Sequence, residues 1–89
     1  MPAPRTLVLT TDQRTELERC QRTDPRPYVR ERSSALLQIA DGASVRHVAV
    51  TGLLTIRDPH SVADWLNRYQ ATGMQGLTQA PRRARGYPP

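Results

Sequence analysis

Lysine and phenylalanine are missing from this sequence, and cysteine and tryptophan each occur once. The lone cysteine, Cys20, excludes an intramolecular disulfide framework and a cysteine-based metal cluster, so a reduced thiol is expected. The apolar runs are too short to span a bilayer, and the first five residues lack the apolar stretch of a signal peptide. These absences predict a cytoplasmic protein with no membrane partner and no cofactor.

The basic residues are all arginine. Thirteen arginines stand against eight acidic residues, which gives a net charge of +5. The planar guanidinium donates paired hydrogen bonds that suit phosphate oxygens and guanine edges. A GC-rich genome is an alternative explanation for the missing lysine, but it does not account for the excess of positive charge. The charge balance therefore favours a nucleic-acid partner.

Length and composition predict one small helical domain, because 89 residues with 37% apolar content allow a single modest core. Residues 1–6 are expected to be a flexible N-terminus, residues 7–77 the folded domain, and residues 78–89 a disordered, basic tail or linker rich in proline and arginine. Prolines, glycines and capping residues predict helices over about 12–22, 27–40, 45–51 and between Asp58 and Gly73. The expected fold is all-α, a bundle of about four helices.

Apolar spacing predicts how these elements pack. Leu7, Val8 and Leu9 are expected to lie extended against the bundle, and Leu77 is expected to anchor its C-terminal end. The second helix has a broad apolar face. Its solvent side is predicted to carry Arg30, Glu31, Arg32 and Gln38.

The fourth helix has the clearest sequence signals. Asp58 is a suitable N-cap, Pro59 suits the first helical position, and Gly73 suits the C-terminal cap. Its apolar residues fall at i, i+3, i+4 and i+7 and predict one buried stripe, consisting of Val62, Trp65, Leu66 and Tyr69. The opposite face carries side chains that form hydrogen bonds, namely His60, Ser61, Asp64, Asn67 and Arg68.

A short helix, a turn and an amphipathic helix are typical of a helix-turn-helix, in which the second of the two helices enters the major groove. Three segments resemble the N-terminal DNA-binding region of mariner-related bacterial insertion-sequence transposases: 46–49 (RHVA), 58–69 (DPHSVADWLNRY) and 72–77 (TGMQGL). The segments 7–10 (LVLT) and 35–42 (ALLQIADG) are similar to that family as well. The resemblance covers most of residues 7–77 and implies a helix-turn-helix domain, homeodomain-like or winged-helix-like, that recognises transposon ends during DNA recombination.

The chain also departs from the family pattern. Gly52 lies three residues after Ala49, where many members have four, and the following turn is longer. Such transposases continue into a catalytic domain with an acidic metal-binding triad, which cannot be assigned among these scattered acids. The resemblance therefore implies a transposase fragment that binds DNA without catalysis, with no metal site and no catalytic residues.

The predicted partner is double-stranded DNA. Phosphate contacts are expected from Arg57, Arg68 and the tail arginines Arg82, Arg83 and Arg85. Arg46 and His47 lie on the short helix over 45–51, the bracing helix of the motif, and are expected to contact the DNA backbone. Base edges are expected to meet His60, Ser61, Asp64 and Asn67. Each assignment has an alternative: a solvated helix-start histidine, a serine bonded to its own turn, an Arg68–Asp64 ion pair at i and i+4, and a tail that is only a linker.

Two other functions fit the same sequence. A small helix-turn-helix transcriptional regulator would bind a palindromic site as a homodimer. A protein-interaction module would dock a partner on the polar face of the fourth helix and use the tail as a tether. A separate chain that supplies the catalytic domain is a further possible partner.

Overall fold

The structure, a computed structural model, describes residues 6–79. Within that range the elements are helices joined by turns: α1 (Thr11–Thr23), α2 (Pro27–Ala40), α3 (Val45–His47) continuing as a π-helical turn (Val48–Gly52), α4 (Pro59–Thr72) and α5 (Gln75–Thr78). The all-α prediction is confirmed. The predictions for residues 1–5 and 80–89, including the N-terminal segment and the tail, lie outside the described residues.

Capping residues begin the helices where the sequence indicates. The Thr10 hydroxyl accepts from the Gln13 backbone N–H, and the Gln13 side chain accepts from the Thr10 N–H, so α1 begins with a capping box. The Ser44 hydroxyl accepts from the His47 N–H at 3.0 Å. Each of these bonds satisfies a backbone donor that a helix start would otherwise leave unpaired.

The core lies among α1, α2, the π-helical turn, α4 and α5. Leu17 is the buried residue of α1, and Val48 and Ala49 of the π-helical turn are fully buried. The predicted roles of Leu7 and Leu77 are confirmed, since Leu7 is 8% exposed and Leu77 is completely buried. Val8, between the buried Leu7 and the half-buried Leu9, is 90% exposed.

The third helix differs from its prediction over residues 45–51. Only Val45–His47 is α-helical, and the next five residues, Val48–Gly52, form the wider π-helical turn. Residues 53–58 then connect to α4, and the connection is closed at its base by a bond from the Arg57 N–H to the Ala49 carbonyl. A typical helix-turn-helix turn has about three or four residues, so this connection is longer.

The solvent side predicted for α2 is wrong at one position. Arg32 is only 8% exposed, whereas Arg30 is exposed and Glu31 and Gln38 are half-buried. Arg32 is turned toward α4 and α5, where it meets partners that lie about half the chain length away in sequence. The periodicity of α2 does indicate that Arg32 faces inward, because it lies four residues after Tyr28 and four before Leu36, within the apolar stripe.

Candidate nucleic-acid interface

Helix α4 is fixed at both ends by the predicted residues. The Asp58 carboxylate accepts from the His60 backbone N–H at 2.8 Å, and Gly73 ends the helix with φ of 70°. The bonds from His60, first its backbone N–H and then its ring, lower the pKa of Asp58 below its ordinary value. A residue with a Cβ would be strained at the φ of Gly73. The position of α4 along the chain is therefore set by local chemistry.

The inner face of α4 is apolar and packs into the core. Val62 and Leu66 are completely buried, and Tyr69 is 4% exposed. Burial raises the pKa of the Tyr69 hydroxyl. Trp65 departs from the predicted stripe: it is only half-buried and packs at the margin of the core.

The outer face of α4 is polar and exposed. All five predicted residues of this face are exposed, namely His60, Ser61, Asp64, Asn67 and Arg68. His60 is the extreme case, with 97% of its side chain in solvent and its Nδ1 atom 3.1 Å from an Asp58 carboxylate oxygen. The helical spacing places His60, Asp64 and Asn67 on one line, with Ser61 and Arg68 along one flank.

Of the arginines predicted to bind phosphate, Arg57 and Arg68 lie within the described residues, and both have carboxylate partners. Arg68 Nε lies 2.9 Å from Asp64 Oδ2, which is the i, i+4 pair that the sequence offered as an alternative. Arg57 donates two hydrogen bonds to Glu31 on α2, at 2.7 and 2.9 Å. These bonds raise the pKa of Arg57 and tie the connection before α4 to the bundle.

Arg46 and His47 lie on α3, and both are exposed. α3 packs against α4, so the two residues lie on an element next to the candidate interface. No acidic residue within 6–79 forms an ion pair with Arg46. The Thr51 hydroxyl donates to the His47 carbonyl at 2.9 Å and lies 3.3 Å from the imidazole nitrogens.

Sequence reasoning missed a cluster that fastens residues 77–79 to α2, here called the C-terminal clasp: Tyr28, Arg32 and the carbonyls of Leu77, Thr78 and Gln79. Arg32 Nη1 donates to the carbonyls of Leu77 at 3.2 Å and Gln79 at 2.9 Å, and the Tyr28 hydroxyl donates to that of Thr78 at 3.2 Å. The Arg32 guanidinium carbon is 4.9 Å from the centre of the Tyr28 ring and 5.6 Å from that of Trp65. Burial lowers the pKa of Arg32.

The connection over residues 53–58 presents apolar side chains to solvent. Leu54 is fully exposed and Ile56 is 74% exposed, and Val50 in the preceding turn is 42% exposed. A groove of about 610 Å³ lies between this connection and the outer side of α2, with Pro27, Glu31 and Leu53 among its lining residues. The sequence showed only that the connection has apolar content.

Comparisons of the chain with protein-family models, with curated proteins and with solved structures found no match. Neither of the two 14-residue helices, α2 and α4, nor any other helix within residues 6–79, has the length and apolar content needed to cross a membrane.

Proposed function

We propose that the chain is a sequence-specific module for double-stranded DNA that presents the outer face of α4 to the major groove in the manner of a helix-turn-helix. The observation that carries the proposal is the division of α4 into a buried apolar face and an exposed polar face. Its exposed residues are types that bind base edges and phosphates. The resemblance to transposase N-terminal regions supports transposon-end recognition as the biological role.

In this mechanism, arginines on the domain and in the 80–89 segment neutralise phosphates and set the register on the duplex. His60, Ser61 and Asn67 meet the bases. The Asp64 carboxylate is already paired with Arg68 at 2.9 Å, and we propose that its role is to orient that arginine. Arg57 is bound to Glu31, and we propose that it mainly holds the N-terminal end of α4 in place.

A selection from a pool of random duplexes tests the proposal. The wild-type chain should enrich one sequence, and His60→Ala and Asn67→Ala should each change the preferred base at one position. The expected loss is about 1–3 kcal/mol of discrimination for a well-formed side-chain–base contact. Thr15→Ala, an exposed change on α1, is the control and should select the same sequence as the wild type. No enrichment, or identical enrichment by all variants, contradicts base reading by α4.

One observation favours the protein-interaction module instead: the exposed apolar connection around Leu54 and Ile56. Solvent-exposed apolar clusters often mark protein contacts. The double change Leu54→Ser with Ile56→Ser distinguishes the two functions. A DNA module that uses α4 keeps its duplex affinity, measured by titration, whereas a protein-interaction module loses its protein partner and never had appreciable duplex affinity.

A further inference from the structure

Arg68 is held from two sides while part of it faces solvent. Its Nε lies 2.9 Å from Asp64 Oδ2, and its Nη1 donates to Gln79 Oε1 at 3.1 Å. The side chain nevertheless remains 45% exposed. Among the described residues its Nη2 group has no hydrogen-bond partner, so an edge of the guanidinium is left for an external acceptor. A phosphate oxygen can accept a charge-assisted hydrogen bond from this Nη2 group.

The backbone of Gln79 is itself held by α2. Its carbonyl accepts from Arg32, and the two preceding carbonyls accept from Arg32 and Tyr28. These donors belong to α2, and Arg32 is almost completely buried. The C-terminal clasp therefore places the backbone of Gln79 beside α4 before any ligand arrives.

The segment just before Gln79 lies directly on the backbone of Arg68. A Cβ built on Gly76 would come within 2.5 Å of the Arg68 carbonyl oxygen. Glycine thus permits a close approach of α5 to α4 at the residue whose side chain Gln79 holds. Arg68 is therefore contacted twice: Gly76 of α5 lies against its backbone, and Gln79, which follows α5, accepts from its side chain.

We infer that Gln79 is a positioning residue for Arg68, and that the clasp and Gln79 together hold the Arg68 guanidinium ready to bind a DNA phosphate. This inference rests on the proposed DNA-binding function. An arginine that is already held loses less side-chain freedom when it binds. Gln79 acts through Arg68 and contributes no charge of its own to the contact.

A titration of a labelled duplex of mixed sequence at several salt concentrations tests the inference with Gln79→Met, which keeps side-chain length and removes the acceptor. Affinity should fall about three- to tenfold, the range expected for one arginine that must be ordered on binding. The slope of affinity against salt should not change, because the Arg68 charge remains. Arg68→Ala should instead reduce the slope by about 0.9. Gln75→Met, an exposed glutamine on α5, is the matched control and should bind as the wild type does.

The double variant decides whether Gln79 acts through Arg68. When Arg68 is already alanine, Gln79→Met should cause no further loss of affinity. An equal loss in both backgrounds would show that Gln79 acts by itself and would overturn the inference.

A measurement without DNA separates this inference from the proposed function. Nitrogen relaxation by NMR should show the Arg68 Nε–H ordered in the wild type and more mobile in Gln79→Met, with Gln75→Met unchanged. Equal order in the wild type and in Gln79→Met overturns the positioning role. A wild-type chain that is ordered at Arg68 but binds no duplex overturns the phosphate role and, with it, the DNA-binding proposal.

Discussion

Arg32 is a charged side chain that the fold keeps almost entirely from solvent. Removing a guanidinium from water is costly unless hydrogen bonds replace those to solvent. Here two carbonyls accept from Nη1, and the rings of Tyr28 and Trp65 flank the cation. Its Nε is buried without a hydrogen-bond partner in the described part of the chain. The arrangement fastens the last described residues at a desolvation cost.

Arg32→Met tests whether this contact stabilises the fold. Methionine preserves much of the packing but removes the donor for the carbonyls of Leu77 and Gln79. The free energy of unfolding should fall by about 2 kcal/mol, the usual range for hydrogen bonds from a charged group. Denaturant unfolding followed by circular dichroism measures it. Arg19→Met, an exposed change on α1, should stay within about 0.5 kcal/mol of the wild type; a similar value for Arg32→Met would mean that desolvation offsets the hydrogen bonds.

Single residues were predictable where the deciding partner is close in sequence. Asp58 caps α4 through the N–H group of His60, two residues away, and that assignment is confirmed. Arg32 was assigned by residue type, and its partners are 45 and 47 residues away. Trp65 was expected in the core because of its place in the apolar stripe of α4, yet its ring covers the Arg32 guanidinium from a half-buried position.

Among the secondary-structure elements, α5 depends most on its surroundings. Four residues are too few for a helix to be stable alone. Gln75–Thr78 is helical beside α4, with Gly76 and Leu77 buried and its C-terminal carbonyls held by the clasp. The sequence predicted the anchor at Leu77 but not the helix, because the helix follows from contacts with α2 and α4.

Gly76→Ala tests how closely α5 must approach α4. The new methyl would overlap the Arg68 backbone, so α5 must shift outward and the clasp must lengthen. We expect a loss of about 1–3 kcal/mol of unfolding free energy, as for other overpacked contacts. Thermal melting measures the change, and Gln75→Ala in the same helix serves as the control. Two melting curves that coincide would show that α5 can move away from α4 at no cost.

Helices α2 and α4 could be predicted to the residue, whereas the segment between them could not. Pro27 and Pro59 occupy first helical positions, and Gly73 supplies the left-handed φ that ends α4. The π-helical turn and the outward placement of Leu54 and Ile56 have no such local signal. Apolar residue type alone predicts burial for both side chains, but both are exposed in a connection that is closed by the Arg57–Ala49 backbone bond.

In the molecule as a whole, most of the net positive charge lies at the chain ends. Arg5, Arg82, Arg83 and Arg85 lie outside residues 6–79, and the described part holds nine arginines against eight acids. Several of those nine are paired with carboxylates. The described domain is therefore close to neutral, and the electrostatic part of any DNA affinity must come largely from the terminal segments.

Deleting residues 81–89 tests this division of labour. The Gln79 carbonyl remains a peptide group, so the clasp persists and the melting temperature should not change. For the full chain, four or five phosphate contacts give a log–log slope of affinity against salt of about −4. Loss of three arginines should reduce the slope by about 2–3 on any duplex. An unchanged slope would make the segment a linker, and a lower melting temperature would mean that it packs on the bundle.

Trp65 gives the molecule an optical property that follows from its place over Arg32. It is the one tryptophan in the chain, so the indole emission comes from a single known position. Release of residues 77–79 from α2 would free the Arg32 guanidinium from its two carbonyls and change the surroundings of the indole ring, which would shift the emission. A duplex bound across His60 and Asn67 would leave the wavelength of that emission nearly unchanged. The native chain thus reports the opening of its own C-terminal end without an added dye.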